Sequence, residues 1–192
     1  ARRFAAQGYV TLAPDLYPRE GSPDPTNLAE VIHLMAGLKD SQAIADLDGA
    51  AAYLKNLSYC TGKIGCVGWD SGGRHALLWA SNTTLLHAAV DCYGGRMVPE
   101  ELTEAQPKAV IDMIESLSCP LLGLFGEEDT NPTVAHVRRL EGELKKYQKT
   151  YEIKSYPNAG HGFFADPRPS YRPEAATDAW QRMLAWFCRH LK

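Results

Sequence analysis

Residues 67–76 read VGWDSGGRHA, an apolar run that breaks on a carboxylate set among glycines. Gly68 and Gly72 stand two positions before and two after Asp70, the small-residue spacing that a sharp strand-to-helix turn needs. Such a turn holds its central residue in strained backbone geometry and aims the side chain outward. The helix that starts there points backbone N–H groups at the same place. Ser71 is out of register as the central residue, because Trp69, two before it, is too bulky. Asp70 therefore occupies a position where serine or cysteine usually serves as nucleophile. The plainer alternative is an aspartate N-cap ahead of a Gly-Gly helix start.

Working outward, strand and helix patterns alternate along the chain. Residues 1–7 (ARRFAAQ) read as the end of a helix stopped by Gly8, and residues 9–13 as a strand closed by Pro14. A Pro- and Gly-rich loop, PREGSPDPTN, leads to helical stretches over residues 28–38 and 41–57. In the second, Ile44, Leu47, Ala51 and Leu54 recur at helical spacing. Strands are expected over residues 63–69, 86–93, 120–125 and 151–156, and helices over 72–80, 134–147 and from Pro173 onward. The last helix carries Ala176, Trp180, Met183, Phe187 and Leu191 on one apolar stripe. This alternation predicts an α/β fold with a mainly parallel sheet covered by helices on both faces. Because the sequence opens inside a helix, the sheet's earlier strands are expected to lie outside it.

With 192 residues and 45% hydrophobic content, the chain suits one domain, 1–192, with a real core. Twenty basic residues against 23 acidic ones, with no basic stripe, argue against nucleic acid or an anionic membrane as partner. No apolar run reaches bilayer-spanning length. Five scattered cysteines (Cys60, Cys66, Cys92, Cys119, Cys188) read as reduced thiols of a cytoplasmic protein, with no metal-ligand spacing. No cofactor or metal is expected. A monomer or homodimer is.

In parallel α/β sheets the working residues stand just beyond the carboxyl ends of strands. After 63–69 comes Asp70. After 120–125 comes GEEDTNP, with Asp129. After 151–156 comes PNAGHGFF, with His161 between glycines. Asp129 alone reads as a helix cap and His161 alone as a surface histidine. Together, the order nucleophile, acid, histidine is that of the α/β-hydrolases. His161 is then the base, and Asp129 fixes its tautomer and steadies the imidazolium. His33, His75, His87, His136 and His190 have no such setting.

The sequence resembles the dienelactone hydrolase (carboxymethylenebutenolidase) family nearly end to end. The resemblance is carried by GYVTLAPDLYPREG, GKIGCVGWDSGGR, AAVDCYGG, CPLLGLFGEEDTNP and SYPNAGHGFFADPRPSYRPEAATDAWQRMLAWFCRHL. It implies an α/β-hydrolase without a large cap that hydrolyses enol-lactones through an elbow cysteine with His and Asp. It places Asp129 and His161 in the family's acid and histidine positions. Arg19 falls on a family arginine that binds the substrate carboxylate, and Tyr17 lies beside it. Trp69 and Ser71, flanking Asp70, complete the candidate substrate-binding set. The second family arginine falls at Ala165, with Arg168 nearby as its candidate substitute. At the elbow, Asp70 stands where the family has cysteine.

A carboxylate attacking an acyl carbon gives a mixed anhydride, and it is a poor acyl nucleophile at neutral pH. At saturated carbon it can displace halide or open an epoxide, giving an alkyl-enzyme ester that an activated water then hydrolyses. Haloalkane and haloacetate dehalogenases and epoxide hydrolases of the same fold use aspartate in this way. Three readings stay open: ester or lactone hydrolysis with a replaced nucleophile, dehalogenation or epoxide hydrolysis through Asp70, and a non-catalytic relative.

Overall fold

The computed structural model describes residues 1–19, 21, 23–24 and 26–192. Glu20, Ser22 and Pro25, within the Pro- and Gly-rich loop, lie outside the described residues. The elements run α1 (Arg2–Ala5), α2 (Leu28–Gly37), α3 (Asp40–Lys55), β1 (Ile64–Trp69), α4 (Ser71–Ala80), β2 (Leu86–Cys92), a 3-10 helix (Val110–Ser116), β3 (Leu121–Gly126), α5 (Val134–Lys146), β4 (Tyr151–Tyr156) and α6 (Pro173–Leu191). The four strands form one parallel sheet in the order β1-β2-β3-β4.

Local chemistry sets the helix starts. The Asn27 side chain accepts the Glu30 N–H at 3.3 Å and caps α2. Thr133 opens α5 with a capping box in which its hydroxyl accepts the His136 N–H at 3.2 Å. Pro173 starts α6 at a position that has no N–H to satisfy.

Side chains alternate across the sheet and build two cores. On one face Leu121 and Phe125 of β3 join Leu77 and Leu78 of α4, Ile111 and Ile114 of the 3-10 helix, and Leu140 and Leu144 of α5. On the other face Leu122 and Leu124 meet Met183, Trp186 and Phe187 of α6 and Phe4 of α1. A period-2 strand between two helix layers requires this division. Helices therefore cover both faces, as the alternation predicts.

Two expectations need correcting. Residues 9–13 form no strand: the alternating apolar pattern is present, but no neighbouring strand pairs with it among the described residues. Val10 and Leu12 are accordingly exposed, at 37% and 43%. The 3-10 helix over Val110–Ser116 lies in a stretch where no element was expected, and it packs three residues, Val110, Ile111 and Ile114, into the first core.

Candidate active site

Asp70 joins β1 to α4 with φ 57° and ψ −123°, a region that side chains rarely adopt. Its side chain makes no capping hydrogen bond to α4, so it is not an ordinary helix cap. Its N–H donates to the Cys92 carbonyl at 3.1 Å, and its carbonyl accepts the Arg74 N–H at 3.2 Å. The turn is possible because Gly68 has no side chain: a Cβ there would run into the Gly72 carbonyl. The second required glycine is Gly73, where a Cβ would strike Asp91 and Gly94. A Cβ at Gly72 would meet nothing within 4 Å. The spacing thus locates the turn but misassigns its second tight position.

Asp129 follows β3 and its side chain is fully buried. One carboxylate oxygen accepts the Asn131 N–H at 2.8 Å, and the other lies 2.9 Å from His161 Nδ1. His161 follows β4. The two loops are tied by N–H donation from Glu127 to Tyr156 and from Glu128 to Ala159. On its far side His161 Nε2 lies 3.3 Å from an Asp70 carboxylate oxygen. The structure thus brings Asp70, Asp129 and His161 together around one imidazole.

Both partners of the ring are acceptors, so an imidazolium with a proton on each nitrogen satisfies them best. Asp129 first, then Asp70, raise His161 from 6.5 to about 9, against the opposing effect of burial. In return the His161 ring holds the Asp70 carboxyl below its ordinary range, helped by the positive charge of Arg168 and the Ser71 backbone N–H. The site therefore rests as Asp70 carboxylate beside a protonated His161.

Asp70 opens onto a cleft of about 700 Å³ whose walls include Trp69, Ser71, Tyr93, Phe164 and Arg168. Its side chain is 42% exposed, enough for a small molecule to reach the carboxylate. Trp69 packs on Phe164 with ring centroids 5.7 Å apart, and its buried indole nitrogen has no hydrogen-bond partner among the described residues. Also lining the cleft, the Arg3 guanidinium lies 4.1 Å from the Trp180 ring centroid. The Arg19 guanidinium makes two hydrogen bonds, 2.9 and 2.8 Å, to Asp46 of α3. Neither Arg19 nor Tyr17 lines the cleft. Sequence reasoning missed Tyr93, whose ring stands edge-on to His161 at 5.2 Å. The signal for it was the Gly94-Gly95 pair closing β2, another strand end facing the site. Among the described residues no group of three His, Cys, Asp or Glu side chains is placed to hold a metal ion. None of their helices is long and apolar enough to cross a membrane.

The sequence model of the Dienelactone hydrolase family matches residues 1–191. A Yersinia pestis protein named "Putative carboxymethylenebutenolidase" is 41% identical over 191 residues, 98% of this chain and 71% of its own length. An Escherichia coli K12 protein of the same name is 39% identical over 190 residues, 97% of this chain and 69% of its own. The crystal structure of a Klebsiella pneumoniae protein described as "Putative Dienelactone Hydrolase" superposes with a TM-score of 0.87 at 36% identity, over 98% of this chain and 79% of that one. The parallel sheet, the elbow at Asp70 and this match across nearly the whole chain lead to one conclusion: the chain belongs to the dienelactone hydrolase family, has its α/β-hydrolase fold, and is a hydrolase.

Proposed function

We propose that this hydrolase acts at a saturated carbon of a small carboxylate-bearing substrate, an epoxide or an α-halo acid, with Asp70 as nucleophile, His161 as acid and base, and Asp129 holding His161. The observation that carries this reading is the Asp70 carboxylate at the elbow, 3.3 Å from His161 Nε2, a contact that favours the ionised pair. An Asp70 oxygen attacks the substrate carbon and forms an ester C–O bond. The bond to the leaving atom breaks with its electron pair. An epoxide oxygen takes the Nε2 proton; a halide departs as the anion and that proton goes to solvent. Esterification also removes the Asp70 charge, one of the two causes of the raised His161 value. The neutral ring then takes a proton from water, whose oxygen attacks the Asp70 carbonyl carbon. The Ser71 N–H, beside that carboxylate, supports the oxyanion until the alcohol leaves and Asp70 is restored. Arg168 on the cleft wall is the cation suited to the substrate carboxylate.

A second reading, cleavage of an ester or lactone, is favoured by the family match over residues 1–191. The two separate cleanly. The parent and Asp70→Cys are assayed on dienelactone, p-nitrophenyl acetate, chloroacetate and an epoxy acid. Halide release or epoxide opening by the parent, lost in Asp70→Cys, supports the alkyl-ester route. So does ¹⁸O appearing in the Asp70 peptide after turnover in H₂¹⁸O. Lactone cleavage gained by Asp70→Cys over a silent parent points instead to a lactone hydrolase with a replaced nucleophile.

A further inference from the structure

We propose that Asp91 is a positioning residue, whose buried carboxyl holds the 91–96 bend in the shape that contacts Asp70 and His161 directly and Asp129 through Asn131. This rests on the triad proposed above. Asp91 is fully buried near the end of β2, in register with Gly68 on β1 and Gly123 on β3. One of its oxygens accepts the Gly94 N–H at 2.8 Å, and the other has no hydrogen-bond partner among the described residues. That single bond closes a tight bend over Tyr93, which is held at φ 42°.

Three links leave the bend. The Cys92 carbonyl accepts the Asp70 N–H at 3.1 Å. The Tyr93 ring packs edge-on to His161 at 5.2 Å. The Arg96 N–H donates to the Asn131 side chain at 2.9 Å, and the Asn131 N–H in turn donates to Asp129 at 2.8 Å. Beneath them the Asp91 carboxyl fills the wedge between Gly73 and Gly94, either of which would strike it if given a Cβ. A buried carboxyl with one partner is a costly choice where an aliphatic side chain would pack, so its placement asks for a role. Burial pushes the group up to about 7, which makes asparagine the isostere of its neutral form.

The test compares Asp91→Asn, Asp91→Val and Asn131→Ala with the parent. The readouts are the His161 ring titration by ¹H–¹⁵N NMR and kcat against KM on chloroacetate and p-nitrophenyl acetate. Asp91→Asn keeps the acceptor, so the His161 titration and kcat stay at parental values. Asp91→Val loses it, so His161 titrates lower and kcat falls about 10- to 100-fold with KM nearly unchanged, the cost of a misplaced catalytic group. Asn131→Ala, at the exposed end of the same bracket, folds even if Asp91→Val does not; it removes the acceptor of the Arg96 N–H while keeping the backbone N–H that Asp129 accepts, and by freeing that loop from the bend it lowers the His161 titration. A lowered melting temperature with His161 and kcat as in the parent, in Asn131→Ala and in whichever Asp91 variants fold, overturns the proposal. Because the NMR arm needs no turnover, a parent inactive on both substrates counts against the alkyl-ester reading alone.

Discussion

Two carboxylates share one imidazole at His161, and their contributions are unequal. Asp129 is fully buried and contacts Nδ1 at 2.9 Å, whereas Asp70 is 42% exposed and sits 3.3 Å from Nε2. A shorter contact away from water is the stronger one. Asp70→Asn is therefore expected to lower His161 only part of the way from about 9 toward 6.5, and Asp129→Asn to lower it further. A ring NMR titration of the two variants checks this; the opposite order would make Asp70 the dominant partner. At this scale the sequence shows where Asp70, Asp129 and His161 stand, each just beyond a strand end, and the structure brings their side chains within contact. It gives no sign of the contact Arg19 makes, because nothing in DLYPRE reveals that Asp46, 27 residues on, accepts from the guanidinium. A side chain's partner across the fold leaves no local trace.

The elbow shows the same limit at the scale of an element. Three glycines around Asp70 are visible in sequence, but only the fold shows that Gly68 is crowded by the turn's own backbone at Gly72 and Gly73, and Gly73 by Asp91 and Gly94 of the β2 bend arriving beside α4. Gly68→Ala is expected to fail to fold or to lose more than about 3 kcal/mol, because its Cβ meets backbone that cannot move aside. Gly72→Ala is expected to be neutral or to gain about 0.5–1 kcal/mol, since the site is open and alanine favours the helix. Urea unfolding of both decides it; a severe loss at Gly72 would show that the turn needs that glycine for its backbone rather than for space. Residues 9–13 are the converse case. Their alternation is strand-like, yet a strand exists only through its ladder, and none forms here among the described residues. The 3-10 helix was illegible because its short run, VIDMIES, completes neither period.

Across the whole molecule, buried titrating groups set how stability follows pH. His75 is lowered from 6.5 to about 4 by burial and the nearby Arg74, so between those values the unfolded chain binds the extra proton and stability rises with pH. Asp91, raised from 3.8 to about 7, binds its proton in the folded state and makes stability fall over nearly the same interval. The two offset each other. Above about 7, where Asp91 has ionised, His161 carries the trend: its raised value contributes stability that is complete below pH 6.5 and lost as the pH rises through about 9. The shift sets a ceiling of about 3 kcal/mol, reduced by solvent at a side chain that is 30% exposed. Above pH 9 the buried thiols of Cys66, Cys92 and Cys119, all raised by burial, extend the decline, because the unfolded chain ionises them first. Below 3.8 the lowered Asp70 loses its contribution. Urea midpoints measured from pH 4 to 10 are therefore expected to be nearly flat to about 6.5 and then to fall. Asp70→Asn, which leaves His161 only one carboxylate, should shrink the fall between 6.5 and 9 while leaving the decline above 9 in place. An alkaline limb of equal depth in that variant would mean that the Asp70–His161 pair adds nothing to folding and that its ionisation matters only for chemistry at the site.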